Sequence, residues 1–261
     1  MKFLEKWRAR NGNGASADVY VSERHGVRSL HIGSDTVQSS MRLTRPHDLE
    51  LSYTRSMMAF LLFVPPPKEL LMIGLGGGSL AKFAYHHLSS TRIRAVEINP
   101  QVVAIARQLF HVPADGPRFQ VITTDGAAHV QREDVCADVI AIDGYEADTL
   151  VEDLASPRFY AACRERLSPG GIVSINLWGG DRLFYTLLKR IEAIFPGTLC
   201  LPAERPGNVV VFGFERKPAP FEWAALARRA TVLEAQYGLE YSRFVEGLTK
   251  MNPHNTELLY A

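Results

Sequence analysis

The chain has 261 residues, of which 46% are hydrophobic and 22% charged, and its formal net charge is +1 at pH 7. This length suits one large domain, or one domain with a small appendage, and the near-neutral balance removes the electrostatic case for nucleic acid or an anionic membrane surface. Cys136, Cys163 and Cys200 are odd in number and far apart, with neither metal spacing nor a disulfide framework, which fits a reducing cytoplasm.

The first residues, MKFLEKWRARNGNG, are basic but lack the apolar stretch of a secretory signal. Residues 1–16 read as a loose or weakly helical leader ending in turn-prone NGNGAS. Residues 18–21 and 27–32 are short β-like runs with His25-Gly26 between them as a hairpin turn, and 36–41 offers a third strand. Leu49, Tyr53, Met57 and Leu61 have helical spacing, so the pattern predicts a helix over 49–64, stopped by Pro65-Pro66-Pro67. Its apolar part, 57–64, is far too short to span a bilayer.

From residue 69 the pattern alternates. Strands are expected at 69–75, 92–97, 118–123, 137–142 and 171–177, and helices at 80–88, 100–110, 126–131, 157–167 and 182–195. Near-continuous apolar strands separated by helices imply an α/β fold with a doubly wound, mostly parallel Rossmann-like sheet. Residues 198–202 and 208–214 read as a closing antiparallel hairpin, and 221–261 as helical with a frayed end.

The first of these strands runs into Gly74-Leu75-Gly76-Gly77-Gly78, and the second ends in Glu97. Glycines allow a sharp turn and close approach to a ligand, and a carboxylate about 20 residues on can accept ribose hydroxyls. The third strand ends in Thr124-Asp125-Gly126 and the fourth in Asp143-Gly144-Tyr145-Glu146. Ligands of open α/β sheets sit at these carboxyl ends. Each acid alone has a plain reading: Asp125 as a helix N-cap, Asp143 as a turn former, Glu97 as a solvated strand end. Together with the glycine loop they describe a nucleoside site. Glu97 would hold the ribose diol, Asp125 the adenine amine beside the Gly126 N–H, and Ile98 the adenine face. Asp143 would face the reactive end as base or electrostatic partner. The chain divides into 1–46, leader and small β element, and 47–261, a nucleoside-binding α/β domain with a helical extension. His86-His87, His111 and His129 have no metal-ligand spacing, so no metal is expected, and Arg228-Arg229 reads as a solvated helix face.

These segments resemble the polyamine aminopropyltransferases, the spermidine synthase family. The family's IGGGDGG, VEID, DG and post-strand acidic segments correspond to IGLGGGS, VEIN, TDG and IDGYE here, and Val37-Gln38 is similar to its upstream VQ. Residues 49–58 resemble the family segment that carries a tyrosine, which places Tyr53 there. The resemblance covers about residues 30 to 214, and implies that the sheet is of the S-adenosylmethionine-dependent methyltransferase type. It implies transfer of an aminopropyl group from decarboxylated S-adenosylmethionine to a small-molecule amine acceptor, within polyamine biosynthesis, by a cytoplasmic homodimer or higher homo-oligomer. It implies Asp143 as proton acceptor with Tyr145 and Glu146 beside it, and Tyr53, Asp143, Tyr145 and Glu146 around the acceptor. Gln38, Gly74, Gly76, Gly77, Gly78, Glu97, Ile98, Asp125 and Gly126 would hold the nucleoside. The chain departs from the pattern at Gly77, where the family carries an aspartate, and at Thr54, where it carries a histidine, with Arg55 following.

Gly77 keeps a second function open, methyl transfer from ordinary S-adenosylmethionine, and a third, a non-catalytic nucleoside-binding relative. NAD-dependent hydride transfer fits less well, because Ser79 breaks the G-x-G-x-x-G pattern.

Overall fold

A computed structural model of the chain describes residues 19–146, 149–150, 152–204 and 207–261. The expected leader, 1–16, lies outside the described residues. The first elements are β1 (Val19–Arg24), β2 (Val27–Ile32) and β3 (Val37–Arg42), an antiparallel sheet in that order. His25 and Gly26 both take positive φ, 52° and 76°, the geometry a two-residue turn between twisted strands requires. The apolar face of this sheet, Val19, Val21, Leu30 and Met41, packs on Val102, Ile105 and Phe110. The small β element is therefore bound to the main domain through the helix that follows the second main-sheet strand.

The expected single helix over 49–64 is instead α1 (Ser52–Met57) followed by a 3-10 run, Met58–Leu62. Every residue of that run is buried. An α-helix with one buried face cannot place five consecutive side chains inward. Donors from other elements meet the carbonyls: Ser174 Oγ bonds Met57 O at 3.0 Å and Tyr241 OH bonds Met58 O at 3.3 Å. Arg229 donates to Leu61 O and Val64 O, so it is a structural clasp and not part of a solvated face.

The main sheet is built from β4 (Glu69–Ile73), β5 (Arg92–Glu97), β6 (Phe119–Thr123), β7 (Ala137–Ile142), β10 (Leu167–Trp178), β11 (Gly197–Pro202) and β12 (Asn208–Phe214). Between them run α2 (Ser79–His87), α3 (Pro100–Leu109), α4 (Gly126–Val130), α5 (Pro157–Glu165) and α6 (Phe184–Ile194), with the two-residue strands β8 (Tyr145–Glu146) and β9 (Thr149–Leu150) after β7. The order is β11-β12-β10-β7-β4-β5-β6, with β10, β7, β4, β5 and β6 parallel and β12 antiparallel to both neighbours. The chain winds outward from β4 to β6 and returns to β7, so the switch point lies between β4 and β7, where such sheets open a ligand crevice. Apolar clusters cover both faces, as the continuous apolar strands predict.

The C-terminal segment departs from the expected frayed helix. It forms β13 (Phe221–Glu222), α7 (Trp223–Tyr237), α8 (Tyr241–Leu248) and β14 (Leu258–Leu259), and β14 pairs with β13. Leu259 is fully buried. Asn252 fixes the turn before it, donating to Cys200 O and Leu248 O at 2.7 Å and accepting from Cys200 N at 2.6 Å. Asn252→Ala leaves buried groups on both segments unpaired. It is expected to cost about 2–3 kcal/mol, a drop in Tm of roughly 5–10 °C for a chain of this size, read by scanning calorimetry.

Candidate active site

The site forms where β4, β5, β6 and β7 end. After Ile73 the backbone turns at Gly74, with φ +96°; a Cβ there would lie 2.1 Å from the Asp143 carbonyl oxygen. Only glycine lets the two strand ends come this close. Gly76 and Gly78 follow with φ of +53° and +67°, and Gly78 stands at the N-cap of α2. Gly77 is held by space: a Cβ there would meet Ser39 Oγ at 2.7 Å and Phe110 Cδ1 at 2.8 Å. The N-terminal sheet and the segment after α3 already fill the volume that a side chain at this position would need.

Glu97 closes on this loop from β5. Its Oε2 accepts from Leu75 N at 3.1 Å and Gly76 N at 3.5 Å, and its Oε1 accepts from Asn99 N at 3.0 Å. Glu97 therefore shapes the glycine turn as well as facing the cavity, a role that sequence reasoning did not find. Asn99 caps α3 and Pro100 begins it. Ile98, between Glu97 and Asn99, is 62% exposed at the cavity rim, where it presents an apolar surface. Asp125 is the N-cap of α4, accepting from Ala128 N at 2.6 Å, and it also lines the cavity. Gly126 lies against Ile73, where a Cβ would meet Cγ2 at 2.6 Å.

Asp143 follows β7, half-buried at the head of the crevice. Asn176 Nδ2 donates to its Oδ1 at 2.8 Å and Tyr53 OH to its Oδ2 at 3.1 Å. Asn208 Nδ2 in turn donates to Asn176 Oδ1 at 2.9 Å, so an amide chain from β12 through β10 orients the carboxylate. Removal from water raises the Asp143 carboxyl above the ordinary range, the bonds from Asn176 and Tyr53 pull it back, and the Glu97 charge raises it further. Asn176 and Asn208 were missed from sequence. Two amides inside buried apolar strands were the available signal, since buried polar groups need partners.

The structure thus brings Gln38, Gly74, Gly76, Glu97, Ile98, Asp125, Gly126 and Asp143 around one cavity of about 460 Å³, a size suited to a nucleoside. Ile32, Val102 and Leu154 also line it and were not anticipated. Tyr53 reaches Asp143 from α1 and also donates to Gln38 O at 3.3 Å. Gly77 and Gly78 belong to the loop but do not line this cavity. Tyr145 and Glu146 form β8, beside the mouth in sequence; their side chains lie outside what the structure describes. Arg55 turns away from the site, bonding Glu240 at 2.7 Å and the carbonyls of Leu49 and Glu50, so it docks α1 on the segment before α8. Among the described residues no cluster of His, Cys, Asp or Glu could hold a metal ion, and no helix is long and apolar enough to cross a membrane.

Known proteins share this arrangement of the sheet. The family model for the spermine/spermidine synthase domain matches residues 50–202. The chain is 42% identical over 246 residues to a polyamine aminopropyltransferase of Chromobacterium violaceum, covering 94% of each sequence. Among solved structures, a probable spermidine synthase from Corynebacterium glutamicum matches with a TM-score of 0.71 at 17% identity, over 98% of this chain and 99% of that one, a likeness of fold. Human methyltransferase-like protein 13, solved in complex with SAH, matches with a TM-score of 0.64 at 26% identity, over 78% of this chain and 96% of its own.

Proposed function

The chain belongs to the spermine/spermidine synthase family and is a transferase; we propose that it moves an aminopropyl group from decarboxylated S-adenosylmethionine to a small amine, with Asp143 taking the proton. The observation that carries this reading is the oriented carboxylate of Asp143 at the head of a nucleoside-sized crevice, fixed on one oxygen by Asn176 and on the other by Tyr53.

The nucleoside lies with its ribose hydroxyls on Glu97, its adenine amine on Asp125 and its ring face on Ile98, with Gln38 and the glycine loop along its tail. The acceptor nitrogen approaches between Asp143 and Tyr53, with Tyr145 and Glu146 as further acceptor residues. Its lone pair attacks the methylene carbon next to the sulfonium. The carbon–sulfur bond breaks with its electron pair on sulfur, methylthioadenosine leaves, and the new ammonium gives its proton to Asp143. Loss of the sulfonium charge makes the leaving group neutral, so most of the acceleration comes from holding nitrogen, carbon and sulfur in line. The raised carboxyl of Asp143 suits a group that must accept a proton. The free thiols Cys136, Cys163 and Cys200 suit a reducing compartment, the cytoplasm, and the N-terminal sheet supplies the contact for a homodimer or higher homo-oligomer.

Acceptor chemistry tests this reading. With decarboxylated S-adenosylmethionine, methylthioadenosine release should depend on a primary amine such as putrescine and be absent with butane-1,4-diol. Release that ignores the acceptor would contradict it. Methyl transfer from S-adenosylmethionine is the second reading, favoured by the absence of an acid at Gly77.

A further inference from the structure

Asn208 stands outside the crevice: neither it nor Asn176 lines the nucleoside cavity. Both are buried, in the antiparallel pair of β10 and β12. Asn176 lies opposite Val210, so Asn208, two residues earlier, is its diagonal neighbour on the same face of the sheet. On the other side Ile175 pairs with Ile142, which sets Asn176 beside Asp143. The sheet register therefore lines up two amides and one carboxylate. Asn208 Nδ2 donates to Asn176 Oδ1 at 2.9 Å, and Asn176 Nδ2 donates to Asp143 Oδ1 at 2.8 Å.

An amide has a donor end and an acceptor end, so the polarity of one bond in this row dictates the next. With Asn208 donating, Asn176 turns its oxygen to Asn208 and its NH₂ to Asp143. Oδ1 of Asp143 then faces a donor and has no acceptor for a proton of its own. Placing a proton on Oδ1 requires both buried amides to turn over. Oδ2 carries no such constraint. Its partner is the Tyr53 hydroxyl, which can turn to Gln38 O at 3.3 Å and offer a lone pair in return. The titratable groups that act on Asp143 are Tyr53 from α1 and Glu97 from β5.

We propose that Asn208 is a positioning residue for the transfer: through Asn176 it reserves Oδ1 of Asp143 as a hydrogen-bond acceptor, so that the proton of the acceptor amine arrives on Oδ2. The part Asn208 plays in transfer rests on the reading of Asp143 above; its hold on the carboxyl does not. As the nitrogen–carbon bond forms and the carbon–sulfur bond breaks, the new ammonium passes one proton to Oδ2. The Tyr53 hydroxyl turns to Gln38 O and accepts from the carboxyl O–H. Oδ1 keeps its bond from Asn176 throughout, so the carboxyl does not swing. Donation by Asn208 also polarises the Asn176 amide and strengthens its bond to the carboxylate.

Two substitutions at position 208 test this. Asn208→Asp keeps the size and reverses the polarity: its carboxylate takes the Asn176 NH₂, turns the Asn176 oxygen to Asp143 and calls for a proton on Oδ1. Asn208→Leu removes the donor. The readout is the infrared band of the protonated Asp143 carboxyl, identified as the band that Asp143→Asn lacks, followed against pH. Its midpoint should rise by roughly one unit or more in Asn208→Asp, and by less in Asn208→Leu. The acid limb of kcat should move up with it, while methylthioadenosine binds both variants as it binds the wild type. In an Asn176→Leu background, Asn208→Asp should move the midpoint far less, because the connecting amide is gone. A midpoint that stays at the wild-type value in both variants overturns the inference. So does a shift that persists undiminished without Asn176, which is charge acting through space. If Asn208→Asp does not bind methylthioadenosine, Asn208→Leu decides between the same two outcomes. A wild type that transfers no aminopropyl group while the midpoints still move overturns the proposed function and the part of Asn208 in transfer, and supports its hold on Asp143 alone.

Discussion

Asp143→Asn lowers aminopropyl transfer by roughly 10²–10⁴-fold, leaves methylthioadenosine bound as in the wild type, and raises Tm at neutral pH. The first effect follows from the proton: an amide cannot accept it. The second follows from geometry, because an asparagine fits the same hydrogen bonds. Its oxygen can accept from Asn176, and its amide can face Tyr53, whose hydroxyl already has a second acceptor in Gln38 O at 3.3 Å. The third effect follows from the raised carboxyl of Asp143. An unfolded aspartate titrates near ~3.9. Between that value and its raised folded value, the native state holds the extra proton, so stability falls as pH climbs through the window. Above it the full cost of an ionised, desolvated carboxylate is present, and asparagine removes it. The gap in Tm between variant and wild type should close as pH falls below the unfolded value. In the wild type, kcat should lose activity on the acid side at a pH above the ordinary carboxylate range. A variant that keeps more than about a tenth of the activity, or that melts below the wild type at neutral pH, would contradict this account of Asp143.

Glu97→Gln behaves in the opposite way: it weakens methylthioadenosine binding by roughly 10–100-fold and lowers Tm by roughly 3–10 °C. Both oxygens of Glu97 are acceptors, Oε2 from Leu75 N and Gly76 N and Oε1 from Asn99 N. A glutamine must present its NH₂ to one of these N–H groups. No hydroxyl stands among these donors to turn, unlike Tyr53 beside Asp143. The misplaced donor leaves a 9%-exposed site with unpaired groups, at about 1–3 kcal/mol. The loss falls on the glycine turn and on the start of α3 together, and the ribose acceptor goes with them. Titration calorimetry and thermal melting read the two effects separately. Normal nucleoside affinity with an unchanged Tm would show that Glu97 neither clamps the loop nor holds the ribose.

The parts of the fold that were legible in sequence are local. Apolar runs bounded by helical segments mark β4, β5 and β7, and β5 and β7 have the expected ends. The glycine loop and the acids at the ends of β5, β6 and β7 place the crevice, because the switch point of a doubly wound sheet follows from the order of its elements. What stayed hidden depends on residues far apart in the chain. The 3-10 run over Met58–Leu62 is stabilised by Ser174, Arg229 and Tyr241, more than 100 residues away. Arg55 sits beside Tyr53 in sequence, which suggests a place in the site, yet Glu240 draws it out. The reason Gly77 is a glycine lies in Ser39 and Phe110, which no reading of the loop alone can supply. Asn176 is the intermediate case. It stands in an apolar run, Ile175-Asn176-Leu177, where an amide has to be bonded; its partners Asp143 and Asn208 lie about 30 residues to either side.

The central claim is the bond that breaks at sulfur, and a product assay reads it directly. The protein is given equal amounts of S-adenosylmethionine and its decarboxylated form together with putrescine, and the products are followed by mass spectrometry. The account predicts methylthioadenosine rising in step with an aminopropylated diamine, with no S-adenosylhomocysteine. S-adenosylhomocysteine appearing with a methylated amine would contradict it and assign the crevice to methyl transfer.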